Sequence, residues 1–488
     1  MKQNEKYFFL RIGSNSEKNY IYKTVPFFNA VIAKSNFFES SAGLLSSLFI
    51  KLNIQKKESS YIIDPNTYVF ALDPMNQWSI RSWVKCKKGD AIKKVIENLR
   101  LDQQEDPSDA IREIENSKDK DIDKVEIFTI KNSFRKLSDK FFIPQIANQV
   151  GKRALTSDDF DNLETIGTFV SNVIKYQQTA LSERFNAEKY KDLLVGIIPP
   201  KFILSPYFAI TDDSWYTAMI SIWQEFNNQY KEDDSAIVLL TNKDFFNANS
   251  KRFAEDIIKL KSTFVFLWIS NFKEEVATEI ELTNFVNFIT TLHENNKEVI
   301  DLYSGGLSTL LFPFGLAGIT NGTGYGMDRD IEPVQGGLPT AQFYLPTLHI
   351  RQQVLESYNL IMANEIGTTK VDFHKNICNC PICREGIQSG AIDMLQYFGE
   401  LGDYKKDKNG NKRRFPTPRA LERCNFHFIL SRLLEYKWAK NASVNDINNK
   451  INKEIHLWKK SNKHLVRWQK VLQKFIPGTI QNGKLDFN

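Results

Sequence analysis

Short apolar runs separated by amphipathic segments recur along most of this chain, and that alternation constrains its fold more than any other feature. The runs are VPFFNAVIA (25–33), YIID (61–64), VEIFTI (125–130), VGIIPPKFIL (195–204), AIVLLT (236–241), TFVFLWIS (263–270), EVIDLYSG (298–305) and LAGITNG (316–322). Between them lie periodic segments at 157–186, 213–229, 245–261 and 279–292. In the last, Leu282, Phe285, Ile289 and Leu292 fall on one face at helical spacing. A strand that is apolar along its whole length is buried on both faces, as in a parallel sheet covered by helices. About eight such β–α units predict an α/β (β/α)₈ TIM-like barrel, with an open doubly wound sheet as the alternative. The barrel is expected to occupy residues 1–376. The charged stretch DQQEDPSDAIREIENSKDKDIDK near 102–124 reads as a surface insertion within it.

Hydrophobic residues make up 42% of the 488, ample for a core of that size. The formal net charge of +6 is mild and by itself implies no polyanionic partner. No apolar run is long enough to span a bilayer and no export signal is visible, so a cytoplasmic protein with no membrane contact is expected.

The stretch ICNCPICREG (377–386) places three of the five cysteines within six positions. Clustered thiols in a chain poor in cysteine, read as belonging to a reducing compartment, point to metal rather than disulfides. Cys378, Cys380 and Cys383 can converge on one ion from a turn, and a tetrahedral site needs a fourth ligand. Cys424 and His427, in ERCNFHFILSRLLEYKW, share a helix face and are the two candidates. Ligand softness favours zinc and a closed, structural site; a [2Fe–2S] cluster using Cys424 is the alternative.

The chain changes character after residue 376. The segment YKKDKNGNKRRFPTPRALER (404–423) holds eight Lys or Arg against two acids. Lys412, Arg413, Arg414 and Arg419 are the candidates for contact with a nucleic-acid backbone; a solvated loop is the plainer reading. A metal-binding subdomain with this basic flank is expected over 377–440, followed by a C-terminal amphipathic helix within 441–488. That helix would carry Ile451, Ile455, Trp458, Leu465, Trp468, Leu472 and Phe475 on one face.

A C-x-C-x-x-C followed by a distant histidine on a helix, late in a (β/α)₈ barrel, resembles the tRNA-guanine transglycosylase superfamily. That superfamily includes the queuine and archaeosine tRNA enzymes and relatives that place 7-deazaguanine bases in DNA. The resemblance implies Zn²⁺ on Cys378, Cys380, Cys383 and His427, with KKDKNGNKRR as an insertion before the histidine. The segment YIIDPNTYVFAL (61–72) looks like the family's D-S-G-G-F-Q-V-F-S segment, with Asn66 and Thr67 where the glycines stand. Asp64 would then match the aspartate that acts as general acid/base. The family's nucleophilic aspartate lies upstream of the zinc motif, in a segment ending P-T-R-x-A-R-N-G, a signature absent here. The corresponding stretch is GLAGITNGTGYGMDRDIEPVQGG (315–337), with Asn321 near the expected place and carboxylates at Asp328, Asp330 and Glu332. Asp301 lies at another strand end.

Displacing a base through a covalent sugar–enzyme intermediate requires a carboxylate nucleophile, and Asp328 is the expected one. A second carboxyl, Asp64, would carry the proton. Gly322 and Gly324 would let a flipped nucleotide approach the backbone, and Phe70 and Tyr325 would line the base pocket. The implied substrates are a 7-deazaguanine base and nucleic acid, with DNA slightly favoured over tRNA. A homodimer or a partner subunit is compatible with this reading. The missing nucleophile signature favours an alternative: a non-catalytic, zinc-containing relative that binds nucleic acid or supports a catalytic partner.

Overall fold

The computed structural model describes residues 5–13, 17, 21, 27–56, 61–73, 81–87, 124–130, 132–184, 199–322, 330–331, 340–406 and 412–476. Strands β1 (Tyr7–Ile12), β2 (Ala30–Lys34) and β3 (Tyr61–Asp64) open the barrel. A hairpin of β4 (Arg81–Lys87) and β5 (Lys124–Ile130) leaves it. The barrel resumes with β6 (Ile203–Leu204), β7 (Ala209–Ile210), β8 (Ser235–Asn242), β9 (Phe264–Ser270), β10 (Glu298–Asp301) and β11 (Leu316–Asn321). The spatial order is β3-β2-β1-β11-β10-β9-β8-β6, with β7 also on β8, and every pairing is parallel. The short strands β6 and β7 share one barrel position, so the eight expected positions are filled.

Between β3 and β6 the ring is joined by side chains as much as by a ladder. The Lys201 N–H donates to the Tyr61 carbonyl (2.9 Å). Thr67 Oγ1 donates to the Tyr207 carbonyl (2.6 Å) and accepts from the Tyr207 N–H (2.8 Å). Gln177, on the Leu163–Arg184 helix, grips Leu204 from behind: its amide donates to the Leu204 carbonyl (2.7 Å) and accepts from the Leu204 N–H (2.9 Å). Buried backbone groups need partners, and here one side chain supplies two of them.

Alternation along β1 sets the interior. Tyr7 and Phe9 point inward and meet Phe202, Phe264 and Phe266 at ring separations of 6.0–6.2 Å, and Phe202 packs on Phe264 and Phe266 at 4.6 and 5.5 Å. The next inward position at period two is Arg11, so the aromatic fill gives way to charge at the C-terminal mouth.

The expected count of eight strands holds, but its membership changes. YFFLRI (7–12) forms β1, although its arginine interrupts the apolar run that marks a buried strand. VEIFTI (125–130) lies in β5, paired antiparallel with β4 outside the barrel. Of the insertion expected near 102–124, residues 102–123 lie outside the described residues. The periodic segments become the helices Leu163–Arg184, Asp213–Gln229, Lys243–Lys259 and Glu279–Glu294.

After β11 the chain builds a second unit: the hairpin β12 (Gln342–Leu345) and β13 (Ile350–Gln353), four short helices, and the hairpin β14 (Leu401–Lys406) and β15 (Lys412–Pro416). The long helix Pro418–Ala439 then returns to the barrel; Thr417 Oγ1 caps it by accepting from the Ala420 N–H (3.1 Å), with Pro at its first turn. The expected single C-terminal helix is two, Val444–Leu457 and Lys463–Gln473, broken after Trp458. The break lets two tryptophans anchor different places. Trp458 Nε1 donates to Thr347 Oγ1 (3.1 Å), and Trp468 Nε1 donates to the Glu274 carbonyl on the barrel (2.9 Å).

Replacing Gln177 by Ala leaves the Leu204 N–H and carbonyl buried without these partners. Chemical denaturation should show a loss of about 3 kcal/mol, the cost of two orphaned backbone groups. A loss below about 0.5 kcal/mol, the range of a neutral surface change, would mean that the seam holds without it.

Candidate functional site

The cysteine knuckle is built by local backbone geometry. Cys380 caps the short helix Pro381–Gly386, its sulfur accepting from the Cys383 N–H (3.4 Å), and Cys378 Sγ accepts from the Cys380 N–H (3.4 Å). His374 spans the carbonyls of Cys378 and Ile387 (3.0 and 3.2 Å) and braces the turn. The fourth member arrives from far along the chain. His427 Nδ1 stands 3.8, 3.4 and 3.3 Å from the sulfurs of Cys378, Cys380 and Cys383.

All four residues are buried, and their ligand atoms lie within 4.8 Å of one another. A tetrahedral ion with metal–sulfur bonds of about 2.3 Å and metal–nitrogen bonds of about 2.0 Å would hold its S and N ligands about 3.5 Å apart. The observed spacings bracket that value, so the cluster can bind a metal ion. Hydrogen bonds from Cys378 and Cys383 pull the Cys380 thiol down to about 4, while burial pushes Cys383 well up. Thiols this close and this dry ionise together only beside a cation.

The surroundings fix the histidine. Its Nε2–H donates to the Tyr344 carbonyl (2.7 Å), which leaves Nδ1 as the ligand atom. Phe343 stacks on the ring (4.0 Å, 12°), and Ser431, one turn on, lies 3.5 Å from Cys378 Sγ. Cys424 is excluded as the fourth ligand: its thiol faces the Phe398 carbonyl (3.6 Å), and burial pushes it up to about 12.

The same helix reaches the barrel mouth. Five residues past His427, the Arg432 guanidinium donates to Glu435 (2.6 Å), Tyr344 Oη (3.2 Å), the Gly305 carbonyl (2.8 Å) and Asn321 Oδ1 (3.3 Å). Asn321 ends β11, where the sequence comparison expected a nucleophile; its amide donates to the Ser304 carbonyl. Glu435 also approaches His349 Nδ1 (3.3 Å, off hydrogen-bonding geometry), and His349 Nε2 meets Glu454 (3.0 Å). A cavity of about 240 Å³ opens between this network and the barrel, with Glu274, Tyr303, Thr320, Tyr344, Phe428 and Arg432 in its wall; Gly322 also lines it.

Asp64 closes β3 inside the barrel at 1% exposure. Arg11 Nη2 pairs with Oδ2 (3.2 Å), while Tyr207 Oη (2.7 Å) and the Asn66 N–H (2.9 Å) bond Oδ1. Lys34, at the end of β2, lies 3.5 Å from Tyr68 Oη. Burial, with Arg11 beside it, lowers Lys34 to about 8 against the pull of Asp64. Over these charges lies Trp268, in contact with Tyr68 on one side and Tyr303 on the other (4.9 and 4.5 Å), and Arg11 stacks on Tyr303 (4.3 Å). Asp64 is therefore ion-paired behind an aromatic wall rather than exposed in a cleft.

Other expected residues fall as follows. Phe70 packs on Phe134 and Phe142 in the core (6.1 and 5.1 Å) and lines neither this cavity nor the next; Tyr68, two positions earlier, holds the place at the mouth. Asp330 lines a second cavity of about 470 Å³ with Tyr68, Trp215, Asn242 and Asn271. Asp328, Gly324, Tyr325 and Glu332 lie outside the described residues. Lys412, Arg413 and Arg419 are exposed; Arg414 turns back to the carbonyls of Leu401 and Gly402 (2.9 and 2.8 Å). The expected loop is thus partly the hairpin β14–β15. Arg11, Tyr207, Glu274 and Arg432 were not anticipated. Arg11 carried a signal, a lone charge at an inward register of an aromatic strand; Glu274 and Arg432 carried none.

Burial opposes charge on His349, but Glu454 and Glu435 outweigh it and raise its pKa from 6.5 to about 9. Because the folded value is the higher one, this stabilisation is complete below pH 6.5 and fades as pH rises through about 9. Its full size is on the order of 3 kcal/mol. His349→Gln should therefore be less stable than the parent at pH 6, with the gap shrinking by pH 10. A gap constant across that range in urea titrations would mean that His349 is neutral.

No family model, no curated protein and no solved structure matches this chain.

Proposed function

We propose that the protein exchanges guanine for a 7-deazaguanine base in nucleic acid, with DNA slightly favoured over tRNA, as a relative of the guanine transglycosylases. The observation that carries this reading is the joining of a Cys₃His metal unit to the C-terminal mouth of a (β/α)₈ barrel by one helix, with Asp64 at a strand end of that mouth. Functional groups of such barrels gather there. In this reading the metal is Zn²⁺ held by Cys378, Cys380, Cys383 and His427. Its four positions are taken by protein, so it acts on folding and on the placing of Tyr344 and Arg432 rather than on the substrate.

A flipped base would meet Tyr68, Trp268 and Tyr303, flat faces on which a heterocycle can stack. Asp64 would take up and return the base proton as its pairing with Arg11 loosens. A carboxylate, Asp328 in this proposal, would attack C1′, hold the sugar while the bases change, and leave again. The exposed Lys412 and Arg413 of β15, with Arg419 at the following helix start, would contact the phosphate backbone.

A second reading is favoured by a specific observation. Asp64 is neutralised by Arg11, and Asn321 rather than a carboxylate ends β11. A non-catalytic relative that binds nucleic acid, or supports a catalytic partner, fits both.

Metal analysis of the purified protein should give one zinc per chain, retained by Cys424→Ser and lost by His427→Ala. Iron, or the reverse pattern, would overturn the assignment. Labelled guanine or 7-deazaguanine should enter DNA, and Asp64→Asn and Asp328→Ala should each reduce that incorporation at least about a hundredfold, the usual scale for a lost acid–base or nucleophilic group, while zinc and binding persist. Binding should weaken with salt, less steeply in Lys412→Ala/Arg413→Ala. Absence of exchange into DNA or tRNA, with partners supplied, would leave the binding reading in its place.

A further inference from the structure

Two cations at the centre of the barrel mouth hold donors that no described group accepts from. The strand register pairs Arg11 with Ile32 and Lys34 with Asp64. Ile32 and Lys34 are two positions apart, so Arg11, Lys34 and Asp64 share the inward face of three neighbouring strands. Arg11 is 5% exposed; its Nη2 meets Asp64, while Nη1 is buried with no hydrogen-bond partner. Lys34 is partly buried, and among the described residues its one hydrogen bond is to Tyr68 Oη at 3.5 Å. Asp64 is the carboxylate that acts on both cations, and its Oδ1 is already taken by Tyr207 Oη and the Asn66 N–H. Burial pushes the phenols of Tyr68 and Tyr207 well up, so neither adds negative charge. Each cation therefore has one counterpart and at least one donor to spare.

We infer that Arg11 and Lys34 form an oxyanion site at the barrel mouth, filled by a carboxylate on C7 of the incoming 7-deazaguanine, with Arg11 Nη1 donating to one oxygen and Lys34 Nζ to the other. That the carrier is a 7-deazaguanine rests on the base-exchange reading; the oxyanion site does not.

The physical reason is the cost of the empty arrangement. A buried guanidinium donor without an acceptor is destabilising, and two cations beside one carboxylate leave an excess of positive charge out of reach of bulk water. Burial first, and the charge of Arg11 second, hold Lys34 down to about 8 against the pull of Asp64, the response of an ammonium with too little negative charge beside it. A bound anion removes both deficits at once. The place of the site says what carries the anion. Tyr303, on which Arg11 stacks, walls the cavity of about 240 Å³, and Tyr68, whose hydroxyl Lys34 touches, walls the one of about 470 Å³. A planar base lying on this aromatic wall brings its own substituents to the two cations. A phosphodiester is joined to chain on both sides and stays near the surface, whereas Arg11 is almost wholly enclosed. A terminal carboxylate on the base meets that constraint.

Calorimetric titration of the intact protein with three 7-deazaguanines, bearing a carboxylate, a nitrile or an aminomethyl group on C7, tests this. The parent should bind the carboxylate base most tightly and the cationic aminomethyl base least, the two separated by about tenfold or more, the scale of one charged hydrogen bond. Lys34→Met should weaken the carboxylate base, tighten the aminomethyl base and erase the order; Lys34→Arg, which keeps the charge, should preserve it. The order in the parent needs no variant. Binding of none of the three, an aminomethyl base bound as tightly as the carboxylate one, or an order that Lys34→Met leaves unchanged overturns the inference. A DNA oligonucleotide whose affinity falls in Lys34→Met while that of the carboxylate base does not would give the site to a backbone phosphate and overturn the carboxylate. Exchange of the nitrile base into DNA by a protein that does not bind the carboxylate base overturns the inference and leaves the base-exchange reading standing. The expected order of binding without exchange into DNA or tRNA removes that reading and leaves the oxyanion site.

Discussion

His427 is the joint on which the C-terminal third of the molecule depends. One ring nitrogen faces three thiols; the other donates to the Tyr344 carbonyl. Tyr344 in turn presents its hydroxyl to Arg432 and Glu435, on the helix that carries His427. A rotation of that helix large enough to free the ring would break the thiol cluster, the β12 contact and the Arg432 network together. Because the groups are buried, each broken contact would leave a desolvated polar atom behind, so the three should form and fail as a unit.

The barrel mouth obeys a related constraint. Arg11, Lys34 and Asp64 are charges at the top of an aromatic interior, where an isolated ion is costly. Asp64 is satisfied by Arg11, Tyr207 and a backbone N–H, and Arg11 gains the face of Tyr303. The arrangement is stable because each group has a counterpart, not because ion pairs are strong in themselves. Arg432 plays the matching part on the other side of the mouth, with Glu435 as counter-ion and Asn321 and Gly305 as acceptors. Two arginines from opposite ends of the chain thus hold one end of the barrel.

Much of the architecture was legible because its signals are local. YIID ends at Asp64 as a strand does, and the runs around 236–241 and 263–270 sit inside β8 and β9. The cysteine spacing is a property of one turn, so three ligands could be read directly. The same reasoning misplaced VEIFTI. An apolar run of six residues looks alike in a parallel barrel and in an antiparallel hairpin, since what differs is the partner. It also passed over YFFLRI, because Arg11 breaks the apolar run while its ion partner lies 53 residues away.

The sequence by itself determined the period of the elements, the near-count of barrel strands and the thiol knuckle, all set by residues a few positions apart. Tertiary structure alone decided the rest. Cys424 and His427 lie less than one turn apart on the same helix and are equal candidates as text. Packing of Phe398 beside one and of the knuckle beside the other makes His427 the ligand. Likewise Glu274, Asp301, Ser308 and Arg432 meet only because three separate elements converge on the mouth. Their contacts are set by distances across the fold, and those are not written in the order of residues along a chain.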